Sequence, residues 1–242
     1  MTDPLFLIDL GPELPAPGAQ VALTGEEGRH AAVVRRIRVG ETVVLSDGQG
    51  RGLRGTVSES SKTGLTVDVV DQLISEPGPV RFVAVQALAK GDRSELAIEM
   101  LTEMGIDEIV PWQSSRSIVK WTAERGAKSL ARWRSTVREA TKQSRRLRIP
   151  EVSEPVNTAD LVRRIGTADV AVILHEDADQ PLSAIAVPES GEVLMIIGPE
   201  GGIAPEELNS FQQAGGALVS LGEGVLRTST AGLAALATLK LR

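Results

Sequence analysis

The sequence predicts an α/β protein in which a small β-rich module is followed by a larger domain of alternating strands and helices. The chain has 242 residues, of which 42% are hydrophobic, enough to bury a core and to form one large domain or two small ones. Up to about residue 73, short β-branched runs alternate with glycine-containing turns. From residue 80 onward, apolar strands alternate with segments of helical periodicity, which is typical of a parallel sheet covered by helices.

The β-rich module is predicted to span residues 1–73. Its β-branched runs lie at residues 43–45, 53–57 and 65–70. Turn pairs such as Asp47-Gly48 and Thr63-Gly64 separate these runs at the spacing of a small barrel or sandwich. Residues 74–79 are predicted to be a linker, because two prolines and a glycine suit neither a helix nor an inner strand.

The second domain, residues 80–242, is predicted to begin with a strand at 80–89 and a helix. Residues 92–95, with the sequence Asp-Arg-Ser-Glu, resemble a capping box that opens this helix. Leu96, Met100 and Met104 lie four residues apart and therefore share one helix face. Gly105 is expected to end the helix.

A second strand at 109–112 and a long helix at about 122–145 are predicted next. The long helix carries an apolar stripe made of Ala123, Ala127, Leu130, Val137 and Ala140. Three more apolar strands are predicted at 169–174, 193–197 and 217–221. We expect helices between these strands and at the end of the chain, where residues 231–239 are rich in alanine and leucine.

The composition excludes several classes of protein. The chain has no cysteine, which excludes disulfides, thiolate zinc sites and cysteine nucleophiles, and its two histidines make a multi-histidine metal site implausible, so we expect no metal. No apolar run approaches the roughly 20 residues that span a bilayer. The N-terminus, Met1-Thr2-Asp3-Pro4, lacks the layout of a signal peptide, so we expect a cytoplasmic protein.

The charge is distributed unevenly along the chain. The net charge is −6, but residues 116–148 hold eleven lysines and arginines against two acids, a local charge of +9. Such asymmetry predicts one basic surface on an otherwise acidic body. A surface of this kind suits the phosphates of a nucleic acid. The alternative is a solvated helix face, which usually carries charges of both signs.

Three loops follow the last three predicted strands. Their sequences are Leu174-His175-Glu176, Gly198-Pro199-Glu200-Gly201-Gly202, and the segment from Leu221 to Arg227. Because ligands of open α/β sheets bind outside the carboxyl ends of the strands, these loops are expected to form one pocket. None of them matches a phosphate-binding loop. Taken alone, the second loop is equally compatible with a simple turn between a strand and a helix.

These loops carry a resemblance to a known family. Residues 197–202 followed by Glu206-Glu207, together with Leu221-Gly222 and Val225-Leu226-Arg227-Thr228, resemble the RsmE family of the SPOUT class. Further matches to this family are Asp47-Gly48, Lys90-Gly91-Asp92-Arg93, Glu103-Met104-Gly105, Arg116-Ser117, Gln143, Arg146 and Pro150. The resemblance therefore covers nearly the whole chain.

The resemblance implies a fold and an activity. It implies a PUA-like β-barrel at residues 1–73, a SPOUT α/β domain with a C-terminal trefoil knot at residues 80–242, and a homodimer. It implies methylation of N3 of uridine 1498 in the 16S rRNA of the small ribosomal subunit, with S-adenosylmethionine as cofactor. Two alternatives stay open. One is a SPOUT methyltransferase with another RNA target, such as tRNA, and the other is a non-catalytic ribosome-assembly factor.

The resemblance also implies which residues bind the cofactor. They are Leu174, His175, Gly198, Glu200, Gly201, Gly202, Leu221, Gly222, Val225 and Leu226. Adenine requires apolar walls and backbone hydrogen bonds, which aliphatic residues at glycine-rich turns supply. Glu200 would balance the sulfonium or hold the ribose, or else cap the next helix.

Transfer to a uridine needs a group that stabilises charge, because N3 must lose its proton before it attacks. Arg227 is the candidate cation, with a phosphate clamp or a structural ion pair as its alternatives. The candidate RNA-binding residues are Arg35, Arg38, Arg116, Arg132, Arg138, Lys142, Arg145 and Arg146. The chain departs from the family pattern at Met100 and Lys142, and at Ser229, where many members have an acid.

Overall fold

A computed structural model describes residues 3–241, apart from the side chain of Ala123. Met1 and Thr2 of the predicted N-terminus, Arg242, and the Ala123 side chain of the predicted helix stripe therefore lie outside the described residues. The chain divides into two compact units. The first comprises Met1–Pro77 and Thr141–Ile149, and the second comprises Gly78–Ala140 and Pro150–Arg242.

The first unit is built on a five-stranded sheet with the order β1-β3-β4-β5-β2. Its strands are β1 (Leu5–Leu7), β2 (Gln20–Leu23), β3 (Thr42–Ser46), β4 (Arg51–Ser61) and β5 (Gly64–Ile74). Strands β3, β4 and β5 were predicted, whereas β1 and β2 were not, because each has at most four residues. A short helix, α1 (Gly25–Arg29), continues into one π-helical turn at His30–Val34.

Long strands and their irregularities shape this sheet. Strands β4 and β5 pair over eleven residues each, with register shifts after Arg54 and after Val57, and such bulges bend and twist a sheet. The inner side of the sheet packs a cluster that includes Phe6, Leu45 and Val67, all with 2% exposure or less.

Residues Thr141–Ile149 belong to the first unit although they lie far along the chain. The Gly50 amide donates to the Leu147 carbonyl (2.9 Å), and the Ile149 amide donates to the Gly48 carbonyl (2.8 Å). The predicted domain limits at residues 73 and 80 did not foresee this return of the chain.

The second unit contains a six-stranded sheet with the order β11-β9-β10-β6-β7-β8. Its strands are β6 (Val80–Ala87), β7 (Glu108–Trp112), β8 (Glu151–Val152), β9 (Val170–Leu174), β10 (Gly191–Ile197) and β11 (Ala217–Val219). Every pairing in it is parallel, which confirms the predicted parallel sheet.

Helices cover both faces of this sheet, as predicted. They are α2 (Arg93–Met104), α3 (Ala123–Ser144), α4 (Thr158–Ile165), α5 (Pro205–Gln213) and α6 (Thr228–Lys240). On one face, Leu161 of α4 and Phe211 of α5 pack in one core cluster with Val85 of β6. On the other face, Gln86 of β6 bonds to Thr228 of α6. Within residues 3–241, no helix has the length and apolar character that crossing a membrane requires.

Two predicted details of the helices are wrong, the capping box of α2 and part of the apolar stripe of α3, and the structure also shows which face of α2 is buried. The capping box of α2 does not form, because Asp92 makes no side-chain cap and Glu95 instead pairs with Arg132. The buried face of α2 contains Ala97, Ile98 and Leu101, whereas Leu96 is 46% exposed. In the apolar stripe of α3, Ala127 is exposed, although Leu130, Val137 and Ala140 are buried.

The connection between β9 and β10 also differs from the prediction. Instead of an α-helix it contains a single 3-10 turn, Leu182–Ala184. Leu182 is buried, and its amide donates to the Ser220 carbonyl just after β11 (2.8 Å). This connection is therefore bound to the loop that follows β11.

Candidate functional site

The three predicted loops meet around one cavity in the second unit. Its volume is about 370 Å³, within the range of small-molecule pockets. The predicted residues that line it are Leu174, His175, Gly198, Glu200, Gly202, Val225, Leu226 and Arg227. Leu221 and Gly222 line an adjoining cavity of about 70 Å³, which shares Leu174, His175, Val225 and Leu226 with the first. Of the predicted cofactor-binding residues, Gly201 is the one that lines neither cavity.

Glycine is required at several of these loop positions for different reasons. A side chain at Gly198 would place its Cβ 2.8 Å from Cγ1 of Ile203, so close packing requires a glycine there. Gly202 and Gly222 adopt left-handed backbone angles, with φ of 71° and 131°. At Gly201 a Cβ would make only ordinary contacts, at 3.5 Å from the Arg116 carbonyl.

A buried hydrogen-bond chain holds the Gly198 loop. The Thr228 hydroxyl donates to the Gly198 carbonyl (2.8 Å) and accepts a hydrogen bond from Nε2 of Gln86 (3.0 Å). Gln86 is fully buried. Thr228 also lines the cavity, so this chain sets the position of a pocket wall. Neither side chain was expected at the site from the sequence.

Two glutamates, Glu200 and Glu176, and one arginine, Arg93, line this part of the pocket. Glu200 accepts hydrogen bonds from the Lys90 amide (3.1 Å) and from Arg93 (3.2 Å), and Arg93 itself lines the cavity. Glu200 does not cap the next helix, because Glu207 makes that contact with the Ala204 amide. Glu176 is a second acidic lining residue and is exposed. Arg93 and Glu176 are pocket residues that the sequence analysis did not assign.

His175 lies in the pocket wall with one nitrogen already engaged. Its Nδ1 accepts a hydrogen bond from the Asp177 amide (3.2 Å). In neutral imidazole the other nitrogen, Nε2, then carries the proton. His175 can therefore donate a hydrogen bond from Nε2 into the pocket.

Arg227 is exposed at the residue before α6, where its carbonyl accepts hydrogen bonds from the Thr230 and Ala231 amides (both 2.9 Å). Across residues 3–241, no carboxylate lies within 4.0 Å of its guanidinium. The structural ion pair that was considered for Arg227 is thus not formed within the described chain. No group of three histidine, aspartate or glutamate side chains suited to a metal occurs there either.

The candidate RNA-binding residues fall into three groups. Arg35, Arg38, Arg138 and Arg145 are exposed, and Arg146 is half-buried. Arg116 is exposed as well, and its Nη1 donates to the Gly201 carbonyl (3.3 Å), which places it beside the glycine-rich loop.

Arg132 and Lys142 are engaged within the protein. Nε of Arg132 pairs with Glu95 (3.0 Å), although its side chain stays largely exposed. Lys142 is only 11% exposed and pairs with Glu27 (2.9 Å). The expectation that Lys142 is available to RNA is therefore wrong, because its charge is taken up inside the first unit.

Comparisons with known proteins identify the family of this chain. A family model described as an RNA methyltransferase domain matches residues 76–240, and one described as an RNA methyltransferase PUA domain matches residues 23–70. The ribosomal RNA small subunit methyltransferase E of Mycobacterium bovis is 44% identical over 96% of this chain and 89% of its own length. The enzyme of that name from Bacillus subtilis is 28% identical, over 97% and 94% of the two chains.

Solved structures give the same result. The Neisseria gonorrhoeae ribosomal RNA small subunit methyltransferase E, bound to S-adenosylmethionine, superposes with a TM-score of 0.85 at 29% identity, covering 98% of this chain and 96% of that one. A Legionella pneumophila protein in complex with the same cofactor gives 0.83 at 30% identity, covering 100% and 98%. With matches of this extent in sequence and structure, the chain belongs to the ribosomal RNA small subunit methyltransferase E family.

Proposed function

We propose that the protein transfers a methyl group from S-adenosylmethionine to N3 of uridine 1498 in the 16S rRNA of the small ribosomal subunit. The observation that carries this proposal is the cavity of about 370 Å³ where the three strand-end loops meet. It lies in the part of the chain that matches the RNA methyltransferase model.

The residues of the cavity fit the cofactor. Leu174, Ile197, Ile203 and Leu226 provide apolar walls for adenine, and the glycine-rich turns leave backbone groups within reach. Glu176 and Glu200 supply negative charge for the sulfonium and the amino group. The other predicted pocket residues, His175, Gly198, Gly201, Gly202, Leu221, Gly222 and Val225, complete the proposed site.

The bound cofactor would supply an activated methyl group, so the protein has mainly to position the uridine. Arg227 has no carboxylate partner within residues 3–241 and lines the pocket. In our proposal its charge stabilises the negative charge that develops on the uridine oxygens as N3 loses its proton. His175, whose Nδ1 accepts a hydrogen bond from the Asp177 amide, is assigned the role of a hydrogen-bond donor at Nε2.

The domain roles follow from the same proposal. Residues 1–73 would form a PUA-like barrel that binds RNA, and residues 80–242 would form the SPOUT methyltransferase domain, joined by residues 74–79. The bulges of β4 and β5 support a sheet that curls towards a barrel. The hydrogen bonds between the β9–β10 connection and Ser220 support a C-terminal knot, because they hold that connection against the segment leading into α6. The substrate places the reaction in the cytoplasm.

We also propose a homodimer. Leu96 of α2 is 46% exposed and shares one helix face with the half-buried Met100 and Met104. A second copy would cover such a face. Sedimentation equilibrium at micromolar concentration measures the state directly, and a monomer there would refute this part.

The activity is tested on small ribosomal subunits from a strain that lacks the endogenous enzyme. Purified protein and S-adenosylmethionine are added, and nucleosides are analysed by mass spectrometry. We expect 3-methyluridine at one position of the 16S rRNA. Methyl transfer to tRNA instead would favour the other RNA target, and cofactor binding without transfer to any RNA would favour the non-catalytic factor.

A further inference from the structure

Glu207 is a buried carboxylate outside the pocket. It caps its own helix through the Ala204 amide and also accepts hydrogen bonds from two other segments of the chain. Its side chain lies in the first turn of α5, and the residue is only 6% exposed. Oε1 accepts from the Ser115 amide (2.9 Å) and the Thr158 hydroxyl (2.7 Å). Oε2 accepts from the Ser115 hydroxyl (3.0 Å) and the Ala204 amide (3.3 Å).

Two of the partners, Ser115 and Thr158, lie in segments distant in sequence from α5, whereas Ala204 is the residue just before α5. Ser115 belongs to the loop after β7, Thr158 opens α4, and Ala204 ends the glycine-rich loop. The loop after β7 is itself closed by a bond between the Ser114 and Ser117 hydroxyls (3.0 Å) and is buried at both serines. Glu207 therefore fixes a rigid turn against the glycine-rich loop.

That turn carries Arg116, the residue after Ser115. The Arg116 side chain is exposed, and its Nη1 donates to the Gly201 carbonyl at the edge of the pocket (3.3 Å). Since a guanidinium has five donors, one bond to a carbonyl leaves the others available for a phosphate. Arg116 is separated by several residues from the first turn of α3, so its place is set by the turn and not by the basic helix.

We infer that Glu207 is a positioning residue which, through Ser115, holds Arg116 at the glycine-rich loop to bind a backbone phosphate beside the target nucleotide. This inference rests on the proposed methyl transfer to RNA. Arg116 then belongs to the site that presents the nucleotide, and the other basic residues hold RNA elsewhere. Glu207 touches neither the cofactor nor the RNA.

The arrangement requires a carboxylate at residue 207. Each of its oxygens accepts from one backbone N–H and one hydroxyl. A hydroxyl can turn and become an acceptor, but a backbone N–H cannot. In Glu207→Gln, the amide NH₂ group must face either the Ser115 or the Ala204 amide whichever way it is placed, so one buried donor loses its acceptor.

The test measures steady-state methylation of small ribosomal subunits and the Kd for S-adenosylmethionine by calorimetry. We expect Arg116→Ala to lower kcat/KM for subunits by about tenfold or more, as the loss of a charged hydrogen bond does. Glu207→Gln should lower it by about fivefold, with the cofactor Kd unchanged within about twofold. The matched control is Glu206→Gln, which alters an exposed glutamate in the same helical turn and should change neither value.

A double-mutant cycle separates positioning from general stability. If Glu207 acts through Arg116, Glu207→Gln should cost nothing further in a chain that already carries Arg116→Ala. Additive losses would overturn the inference, as would a cofactor Kd that weakens in Arg116→Ala as much as kcat/KM falls. Should Glu207→Gln fail to fold, Ser115→Ala removes one bond of the same contact and enters the same cycle. A wild-type protein that methylates no RNA would instead refute the proposed function.

Discussion

Glu108 is a buried charged residue at the sheet edge where the parallel strands begin, and its ion pairs show how such a charge is stabilised. It opens β7 with a side chain only 4% exposed and accepts hydrogen bonds from Arg164 (2.6 and 2.9 Å) and from the Ser153 hydroxyl. Burial by itself raises the pKa of Glu108, but the bonds from Arg164 and Ser153 outweigh it and hold that pKa below its ordinary value. The same contact with Glu108 raises the pKa of Arg164.

A lowered pKa in the folded state predicts how stability depends on pH. The carboxylate of Glu108 stabilises the fold above about pH 4.5, its ordinary pKa, and this contribution is lost as the pH falls through the lower folded pKa. Glu108→Gln should therefore cost about 2–3 kcal/mol at pH 7. The difference from wild type should shrink below pH 4.5, as measured by urea unfolding at several pH values.

The control for this prediction is Glu154→Gln. Glu154 also pairs with an arginine, Arg134, but its side chain is 77% exposed, and exposed pairs contribute little. It should unfold like wild type at every pH. A constant difference between Glu108→Gln and wild type from pH 3 to pH 7 would contradict the assignment.

At the same scale, the predicted pocket residues were those with a local signal. Glycines that follow an apolar strand are visible in a sequence, and Gly198, Gly202 and Gly222 could be found this way. Arg93 and Thr228 act on the pocket through partners that are distant in sequence. Arg93 bonds to Glu200, 107 residues away, and Thr228 bonds to Gly198, 30 residues away. No spacing rule relates such positions: both residues lie in segments that match the family, but only the fold shows what they contact.

At the scale of elements, the end of α3 depends on an ion pair with α1. Lys142 and Glu27 lie 2.9 Å apart with side chains 11% and 18% exposed. Lys142→Glu places two acids together in a poorly solvated position and should destabilise the protein by about 3 kcal/mol or more. Thermal unfolding followed by circular dichroism measures this loss.

Exchanging the two charges tests the same contact. The double variant Glu27→Lys/Lys142→Glu should recover a large part of the stability lost in Lys142→Glu, because the attraction is restored with its sign reversed. Arg138→Glu, which reverses an exposed charge on the same helix, should cost much less. No recovery in the double variant would show that the two side chains are not coupled.

The missing capping box of α2 and the choice of its buried face have one physical reason, since both are decided by contacts with other elements. The sequence Asp-Arg-Ser-Glu satisfies the capping pattern, but Glu95 gains more from Arg132 of α3 than from a backbone amide of its own helix. In the same way, the face of α2 that is buried is chosen by the position of the sheet and α6, and the four-residue spacing of Leu96, Met100 and Met104 carries no information on that choice.

At the scale of the whole molecule, the first unit is built from two separate stretches of the chain. Residues 1–73 had the pattern of a self-contained module, and three of its strands, β3, β4 and β5, were predicted correctly from β-branched runs and turn glycines, whereas β1 and β2 were missed. The contribution of Thr141–Ile149 could not be predicted, because its backbone hydrogen bonds leave no trace in residue type and its side-chain partners lie far away in the sequence.

The two-part unit has a consequence for fragments of the chain. Without residues 141–149, the Gly48 carbonyl and the Gly50 amide lose their partners, Ser75 loses the bond from Arg148 (2.7 Å), and the contacts of Leu147 and Ile149 with Gly52 and Gly48 are lost. Residues 1–77 alone should therefore unfold at a markedly lower temperature than the same unit in the full chain. Residues 1–77 joined to 141–149 by a flexible Gly/Ser linker should recover most of the difference, because a linker adds only a small closure entropy.

A matched fusion in which residues 141–149 are scrambled controls for the added length. Circular dichroism melts decide the matter, and equal midpoints for the bare fragment and the native fusion would show that the strands of residues 1–77 form a complete domain by themselves.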